Sequence, residues 1–246
     1  MNTPVPISFI IPAHDEEAVL GATLAALFDA AGEVGRPFEV IVVDDSSTDR
    51  TAEIAREHEA RVVRVEHRQI ARARNAGARE ARGHVMIFVD ADTAVSAAPI
   101  RAALGSIEAG DVGGGARPRF DGGPLGVRCL IGAFVWLLRR LCIACGCFFY
   151  CRRDHFEAVG GFDETLFAGE EVALSLALKR RGRFVALRES VLTSSRKIRT
   201  HSPRELLCAA LLPLRQGVRA YRGREGLEVW YGPRRVDPGL ARRGER

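Results

Sequence analysis

Short apolar runs alternate with helical patterns through the first ninety residues, and this alternation constrains the fold more than any other feature. The runs are rich in β-branched residues, which is typical of strands that are buried on both faces of a sheet. The runs cover residues 7–11, 38–43, 62–65 and 85–89, and the helical patterns cover 16–30, 49–60 and 70–81. A strand–helix repeat of this kind requires crossover connections. The sequence therefore predicts an α/β fold with a mostly parallel, Rossmann-like sheet and helices on both faces.

The second half of the chain has a less regular pattern of apolar residues, and we interpret it as an extension of the same domain. Its pattern predicts helices at 98–109, 125–142, 171–181 and 203–212, and two short strands at 184–187 and 190–194. We expect the helix at 125–142 to be mostly buried, because it is the most apolar segment of the chain.

Polar and mostly acidic residues follow three of the predicted strands, at 12–17, 44–49 and 90–92. Ligands of open parallel sheets bind outside the carboxyl ends of the strands. Acidic groups gathered at one edge repel each other, and a bound cation or hydrogen-bond donors would offset that repulsion. Asp49 is predicted separately to cap the following helix. As a set, the acidic strand ends indicate a binding site.

Asp90-Ala91-Asp92 is the most specific of these three acidic motifs. Two carboxylates one residue apart, directly after a buried strand, can reach a divalent ion from the same loop. Hard cations such as Mg²⁺ or Mn²⁺ prefer oxygen ligands and often share them with substrate phosphates. The pattern therefore predicts a divalent cation as cofactor.

Five motifs occur in the order found in one known family. They are Ile10–Glu17 (IIPAHDEE), Val43–Asp49 (VDDSSTD), Ala73–Gly77 (ARNAG), Val89–Asp92 (VDAD), and Gly160–Glu164 (GGFDE) leading to Gly169–Glu171 (GEE). In these motifs the chain resembles the inverting family 2 glycosyltransferases of the GT-A fold over about residues 5–200. It departs from the family pattern twice, with DEE in place of N-E-E after the first strand and Glu171 in place of an aspartate.

The resemblance implies transfer of a sugar from a nucleotide-sugar donor to an acceptor, which is an unknown saccharide or a lipid-linked molecule. It implies a GT-A domain over residues 1–200, with a donor-binding half at 1–95 and an acceptor-binding half at 96–200. Residues 201–246 would form a basic C-terminal extension. By family analogy the donor-binding residues are Pro12, Ala13, Glu16, Asp44, Arg74, Asp90, Ala91, Asp92 and Arg196, and the metal ligands are Asp90, Asp92 and His201.

Within this implied site, Asp44 is expected to accept a hydrogen bond from the base, and Asp92 to hold the ion that bridges the diphosphate. Arg74 is expected to face a phosphate or the base, and the alternative is a surface arginine on an arginine-rich helix. Arg196 could form bidentate bonds to phosphate oxygens. For His201 the alternative to a metal ligand is an ordinary loop residue.

The acceptor hydroxyl needs a general base, and Glu171 is the first candidate, with Glu170 second. The start of a helix stabilises the charged form of a carboxylate, which can then accept a proton. The alternative is a helix N-terminal charge without a catalytic role. If the acceptor were a lipid phosphate, no base would be required.

Three other classes of protein fit the sequence less well than a transferase does. A nucleotide-binding protein with a decayed site is supported only by Glu171, and Asp90 and Asp92 argue against it. A nucleotidyltransferase usually carries a basic, glycine-rich loop after its first strand, and this loop is acidic here. Nucleic-acid binding is not expected, because the basic residues are not interleaved with stacking aromatic residues.

Four cysteines lie close together, at positions 142, 145, 147 and 151, in an apolar and aromatic stretch. Core packing is the first interpretation, because a free cysteine behaves as a small hydrophobic residue, and a metal site is the alternative.

Charge and targeting signals bear on location. The chain carries a net charge of +5, and the residues from Arg196 onward hold 13 basic and 5 acidic residues. This distribution suggests contact with something anionic, such as phosphates or acidic lipids. No signal peptide precedes the first apolar run, so a cytoplasmic location is expected, with peripheral contact at the inner face of an anionic membrane as an option. Leu125–Cys151 would line an acceptor groove or rest on lipid if it were not buried core.

Overall fold

The computed structural model describes residues 7–202, 204–205, 221–232, 235 and 237. Its first part alternates strands and helices as the sequence predicts. The elements are β1 (Ile7–Ala13), α1 (Leu20–Val34), β2 (Phe38–Asp45), α2 (Thr51–Glu57), β3 (Arg61–Val65), α3 (Ile70–Glu80) and β4 (Val85–Val89). Strands β1 to β4 pair in parallel in the order β3-β2-β1-β4.

The second part of the chain extends the same sheet beyond β4. Its elements are β5 (Thr93–Ala94), α4 (Ala97–Glu108), β6 (Gly113–Phe120), α5 (Leu125–Arg140), β7 (Phe148–Arg152), α6 (Arg153–Ala158), α7 (Glu170–Lys179), β8 (Phe184–Thr193), α8 (Arg196–Thr200) and α9 (Glu228–Tyr231). The complete order is β3-β2-β1-β4-β7-β6-β8-β5. Strand β7 runs antiparallel to β4 and β6, whereas β6 and β8 are parallel. The predicted α/β fold with a mostly parallel sheet is confirmed.

Helices cover both faces of the sheet, as expected from the strands that are buried on both sides. On one face, the strands pack against α1 and α4 through Leu24 and Ile100. On the other face they pack against α3 and α7 through Ala73 and Leu174. The sheet is therefore the middle of three layers, and the ends of its strands remain open for a site.

Two boundaries of the first helix differ from the sequence prediction. Helix α1 begins at Leu20 instead of 16, because the backbone N–H groups of Glu16 and Glu17 bond to the side chains of Thr51 and Asp49. It ends at Gly35, which takes a left-handed conformation (φ +69°) that costs glycine little. Asp49 accepts a bond from the N–H of Thr51, the first residue of α2, but the cap position of this helix is Arg50 and not Asp49 as predicted.

The interpretation of the apolar helix as mostly buried core is wrong. Helix α5 forms as predicted, but Val135 is its only buried residue among those whose side chains are described. The two short strands predicted at 184–187 and 190–194 form one continuous strand, β8, which is long because it pairs along the whole length of β6.

The cysteine-rich stretch is divided between surface and core. Cys147 and Cys151 are buried, and burial raises the pKa of the Cys147 thiol well above its usual range, which confirms core packing for these two. Cys142 and Cys145 are half-buried.

No helix of the described residues is long and apolar enough to cross a membrane. The helix predicted at 203–212 lies outside these residues except for Arg204 and Glu205. The domain boundaries at 95, 200 and 201 stay predictions.

Candidate active site

A cavity of about 130 Å³ lies at the carboxyl ends of β1, β2 and β4. Its far side is closed by the start of α8 and the end of α9. Seven of the nine predicted donor-binding residues line it, namely Pro12, Ala13, Glu16, Asp90, Ala91, Asp92 and Arg196. The structure thus brings most of the predicted set together at the sheet edge where parallel sheets bind ligands.

Asp45, which the sequence analysis did not select, lines the cavity, whereas Asp44 does not. Successive residues of a strand point to opposite faces, and at this strand end Asp45 is the one directed to the cavity. Asp45 accepts hydrogen bonds from the backbone N–H groups of His67, Arg68 and Gln69, at 2.7, 2.7 and 2.9 Å. Asp44 instead accepts a bond from the N–H of Ser47 within its own turn. The alternation of the strand could have distinguished the two.

Glu16 and Arg196 form a bidentate ion pair across the cavity. The two Nη atoms of Arg196 lie 2.7 and 2.8 Å from the carboxylate oxygens of Glu16, and both side chains are buried. One Nη also lies 3.8 Å from Asp92 Oδ2. A guanidinium carries five N–H donors, and Glu16 takes two of them. Arg196 therefore connects the loop after β1 with the loop after β4.

Asp92 is the most electrostatically perturbed carboxylate in the cavity. Burial, and then the negative charge of Asp90, raise the pKa of Asp92 to about 6, although Lys197 and Arg196 oppose the shift. The basic side chains nearby compensate the negative charges of Asp90 and Asp92 only in part. The carboxylate oxygens of these two residues are ligands of the kind that Mg²⁺ and Mn²⁺ prefer. The two aspartates therefore fit the predicted divalent cation.

Arg74 is fully buried, which excludes the surface alternative. Its Nη1 lies 2.8 Å from Glu170 and 3.4 Å from Glu171, and its Nη2 lies 3.0 Å from Asp90. Nη2 also donates to the carbonyl oxygen of Gly146 at 3.2 Å. Arg74 does not line the cavity but lies behind Asp90, so it joins the acidic end of β4 to the acidic start of α7.

The two candidate bases occupy different environments at the start of α7. The side chain of Glu170 is 3% exposed, and burial, followed by the charge of Glu171, raises the pKa of Glu170 well above its usual range. The side chain of Glu171 is 20% exposed. Gly146 faces Glu171 so closely that a Cβ at this position would lie 2.0 Å from Glu171 Oε1. Neither carboxylate lines the cavity, and Glu171 is the more exposed of the two.

His201 lines a smaller neighbouring cavity and is not brought to the aspartates. Its Nδ1 lies 3.0 Å from Thr200 Oγ1 and 3.2 Å from the carbonyl oxygen of Lys197. Within the described ranges, no three His, Cys, Asp or Glu side chains are arranged to hold a metal ion. A metal-binding role for His201 stays a prediction.

The segment 221–232 closes the cavity, and the sequence analysis missed it. Trp230, Tyr231 and Gly232 line the wall opposite β1. Tyr231 donates to the carbonyl oxygen of Phe167 at 2.7 Å, and Lys197 Nζ lies 5.7 Å from the Trp230 ring. The only available signal was a pair of aromatic residues within a basic, glycine-spotted stretch.

A comparison with known protein families identifies the class to which this fold belongs. The profile described as "Glycosyl transferase family 2" matches residues 8–160, more than half of the chain. The chain therefore belongs to glycosyl transferase family 2.

Individual relatives match over shorter segments. An undecaprenyl-phosphate 4-deoxy-4-formamido-L-arabinose transferase from Pseudomonas aeruginosa is 38% identical over 99 residues, covering 36% of this chain and 29% of the relative. A validoxylamine A glucosyltransferase from Streptomyces hygroscopicus is 37% identical over 102 residues, covering 38% and 21%. The matched segment thus spans less than a third of either curated relative.

A solved structure agrees over most of the chain. The mannosyltransferase from Pyrobaculum calidifontis, in complex with GDP-Man and Mn²⁺, superposes with a TM-score of 0.66 at 18% identity. The match covers 85% of this chain and 61% of the mannosyltransferase. At this identity the likeness establishes the GT-A fold.

Proposed function

We propose that the protein transfers a sugar from a nucleoside diphosphate sugar to an acceptor hydroxyl by a single displacement with inversion. The main support is one observation, that Arg74 links the acidic end of β4 to the acidic start of α7. This buried arginine contacts Asp90, which lines the cavity, and also Glu170 and Glu171 at the start of α7. A donor site and a proton acceptor are thereby held next to each other.

The names of similar proteins support the choice of donor. The Pyrobaculum structure contains GDP-Man, and the Streptomyces relative is named a glucosyltransferase. In this chain, Pro12 and Ala13 would pack against the nucleoside, and Arg196 would direct its remaining N–H donors at the diphosphate.

Asp90 and Asp92 are the residues that would hold Mg²⁺ or Mn²⁺. When bound, such a cation neutralises the charge that develops on a departing diphosphate. The presence of Mn²⁺ in the Pyrobaculum complex supports this assignment. Two arginines would hold these carboxylates in position. Arg74 lies 3.0 Å from Asp90, and Arg196 lies 3.8 Å from Asp92.

Glu171 would serve as the general base. The acceptor oxygen attacks the anomeric carbon, its proton passes to the Glu171 carboxylate, and the bond to the diphosphate breaks with its electron pair on the leaving oxygen. Glu170 is the positioning residue of the pair, since it is buried and bonded to Arg74 at 2.8 Å.

A lipid phosphate is the second candidate acceptor. The name of the Pseudomonas relative, an undecaprenyl-phosphate transferase, favours it. A phosphate oxygen is already ionised near neutral pH, so this reaction would not need Glu171. We also propose a cytoplasmic location at the inner face of the membrane, supported by the basic excess after Arg196.

The test is a panel of nucleoside diphosphate sugars with Mg²⁺ or Mn²⁺, first by thermal shift and then by donor turnover. A bound donor raises the unfolding temperature by mass action. We expect one donor to stabilise the protein and to be turned over slowly even by water.

The variant Glu171→Gln separates the two acceptors. It should keep the thermal shift with the donor and lose transfer to a hydroxyl by about 10²–10⁴-fold, the usual contribution of a general base. Asp163→Asn, on an exposed turn before α7, is the matched control and should transfer normally. Full transfer by Glu171→Gln would indicate a phosphate acceptor, and the absence of any stabilising donor would refute the function.

A further inference from the structure

Helix α5 and Leu141 expose an unusually large apolar surface, here called the docking helix (residues 125–141). Leu130, Phe134, Trp136, Leu137 and Leu141 are 47–68% exposed. They make up five of the eight large hydrophobic residues that are exposed in the described part of the chain. Scattered exposed hydrophobic residues are normal, but a contiguous patch of this kind marks an interaction site.

The patch occupies one broad face of the docking helix. With 3.6 residues per turn, Ile131, Val135 and Leu138 lie on the face toward the sheet, and these three are buried or half-buried. Cys129, Trp136 and Leu137 lie on the side away from the sheet, Leu130 and Phe134 lie along the flank, and all five side chains are exposed. The helix is thus apolar on its outer side as well, and the described part of the chain leaves that side uncovered.

The docking helix carries basic charges and no acidic ones. No Asp or Glu occurs from residue 122 to residue 153, whereas Arg128, Arg139 and Arg140 lie on the docking helix itself. The Arg140 guanidinium lies 5.8 Å from the Trp136 ring. Lys179, at the end of α7, donates to the carbonyl oxygen of Leu141 at 2.7 Å. An apolar face with a basic border complements an anionic lipid surface.

We propose that the docking helix lies in the headgroup region of an anionic lipid bilayer, parallel to its surface. Its 16 helical residues span about 24 Å, and no helix of the described ranges could cross a bilayer, so the contact would be peripheral. The chain leads from this helix through residues 142–145 to Gly146, which bonds to Arg74. The bilayer would therefore adjoin the acceptor side of the site, but the proposal does not depend on the enzyme activity.

Two other occupants fit the charges less well. A second copy of the chain, packed symmetrically through the same face, would bring basic residues of one docking helix against basic residues of the other, because this helix carries no acidic residue. Like charges across an interface disfavour binding. The apolar run at 206–214 lies outside the described residues, and it contains no charged residue that could pair with the arginines. Of these three occupants, anionic lipid is the one that complements both the apolar face and the basic border.

The test is co-sedimentation of the full chain with vesicles of phosphatidylcholine, with or without phosphatidylglycerol. We expect binding to the mixed vesicles, weakened by salt. The double variant Phe134→Gln/Leu137→Gln should bind at least about tenfold more weakly, because both side chains lose buried apolar area. Arg140→Glu should weaken binding by about fivefold for each unit of charge. Leu192→Gln, an exposed residue on β8, is the matched control and should bind like the wild type.

Alkylation of Cys129, followed by mass spectrometry, gives a second readout. The thiol should react in free protein and be protected by phosphatidylglycerol vesicles. Protection without vesicles would mean that the protein covers its own docking helix, and would overturn the proposal. So would equal binding to both kinds of vesicle, or a dimer that the double variant abolishes. Unchanged unfolding temperatures of all variants would exclude misfolding as the cause.

Discussion

Arg74 is the residue on which the candidate active site depends most. Its guanidinium is buried and contacts three carboxylates, of Asp90, Glu170 and Glu171. Phe162 also covers it, with its ring centroid 5.3 Å from the guanidinium carbon. Planar, bidentate geometry allows arginine to serve several acceptors at once, which a lysine cannot do. The residue therefore combines a structural role with the positioning of both functional groups.

Replacing Arg74 should damage stability and catalysis together. We expect Arg74→Met to lower the free energy of unfolding by about 3–5 kcal/mol, because it leaves buried carboxylates without their cation. Arg74→Lys keeps the charge and should lose less stability, but kcat should fall more than KM rises. Chemical denaturation and steady-state kinetics measure these effects.

Arg72→Lys is the control for these variants, since Arg72 is an exposed arginine on the same helix. It should change the unfolding free energy by less than about 0.5 kcal/mol. Stability of Arg74→Met equal to that of the control would contradict the role assigned to Arg74.

We expect Asp92 to lower the stability of the metal-free protein at neutral pH. Its folded-state pKa of about 6 exceeds the ordinary aspartate value of 3.8, so it favours folding when protonated and loses this effect as pH rises through 6. In the presence of a chelator, Asp92→Asn should therefore be about 1–3 kcal/mol more stable than wild type at pH 7.5. The difference should shrink toward pH 5. A variant less stable than wild type at pH 7.5 would contradict this account.

At the residue scale, the sequence predicted most of the cavity but not its internal connections. Acidic ends of parallel strands must lie at one edge, so Glu16, Asp90 and Asp92 could be located from the pattern. The contact of Arg74 with Glu170 joins residues 96 apart, and no local pattern specifies which carboxylate a distant arginine meets. Asp45 lines the cavity next to the predicted Asp44, whose contact with the base stays a prediction.

At the scale of elements, close packing of α3 against the sheet fixes the position of Arg74. Gly77 lies one turn further along α3, and a Cβ there would lie 2.5 Å from Ile10 and 2.8 Å from Val43. Glycine is therefore required for close approach of the helix to β1 and β2. This approach brings Arg74 under the end of β4.

Gly77→Ala should destabilise the protein by about 1–3 kcal/mol, the usual effect of overfilling a packed interior. Gly105→Ala is the matched control, a helical glycine on α4 with open space around its Cβ position. It should be stabilising by about 0.5–1 kcal/mol, because alanine favours the helix. Thermal unfolding of both variants measures the difference, and similar shifts in the two would argue against close packing at Gly77.

The elements also show where sequence periodicity reaches its limit. The period of α5 predicts a helix correctly, but its apolar residues lie all around the axis, which is typical of burial and also of an interaction surface. Whether a neighbour covers the outer face depends on the tertiary arrangement. Similarly, β8 is continuous because β6 offers it a partner along its length, and this pairing is not visible within residues 184–193.

At the scale of the whole molecule, the chain returns to the cavity that we propose as the donor site. The segment 221–232 passes over the carboxyl ends of the first strands, where Arg224 donates to the carbonyl oxygen of Arg68 at 2.9 Å. The Arg224 guanidinium also lies 5.4 Å from the Phe167 ring and 5.7 Å from the Tyr231 ring. Arg224 thus connects two residues that line the cavity, Arg68 and Tyr231.

Arg224→Met should weaken donor binding more than it slows the chemical step. Loss of one hydrogen bond and two ring contacts corresponds to about 1–2 kcal/mol, so KM for the donor should rise about 5–30-fold while kcat changes less. Arg222→Met, an exposed change in the same segment, should leave KM unaltered. An unchanged KM in Arg224→Met would show that this segment does not shape the donor site.

We propose above that Asp90 and Asp92 hold the divalent cation of a nucleoside diphosphate sugar transferase. Anomalous scattering from crystals soaked with Mn²⁺ and the nucleoside diphosphate of the preferred donor would locate this cation. We expect an anomalous peak bonded to the carboxylate of Asp92, with the diphosphate beside it in the cavity. A nucleotide bound there with no peak at Asp92, or Mn²⁺ at another place, would contradict it.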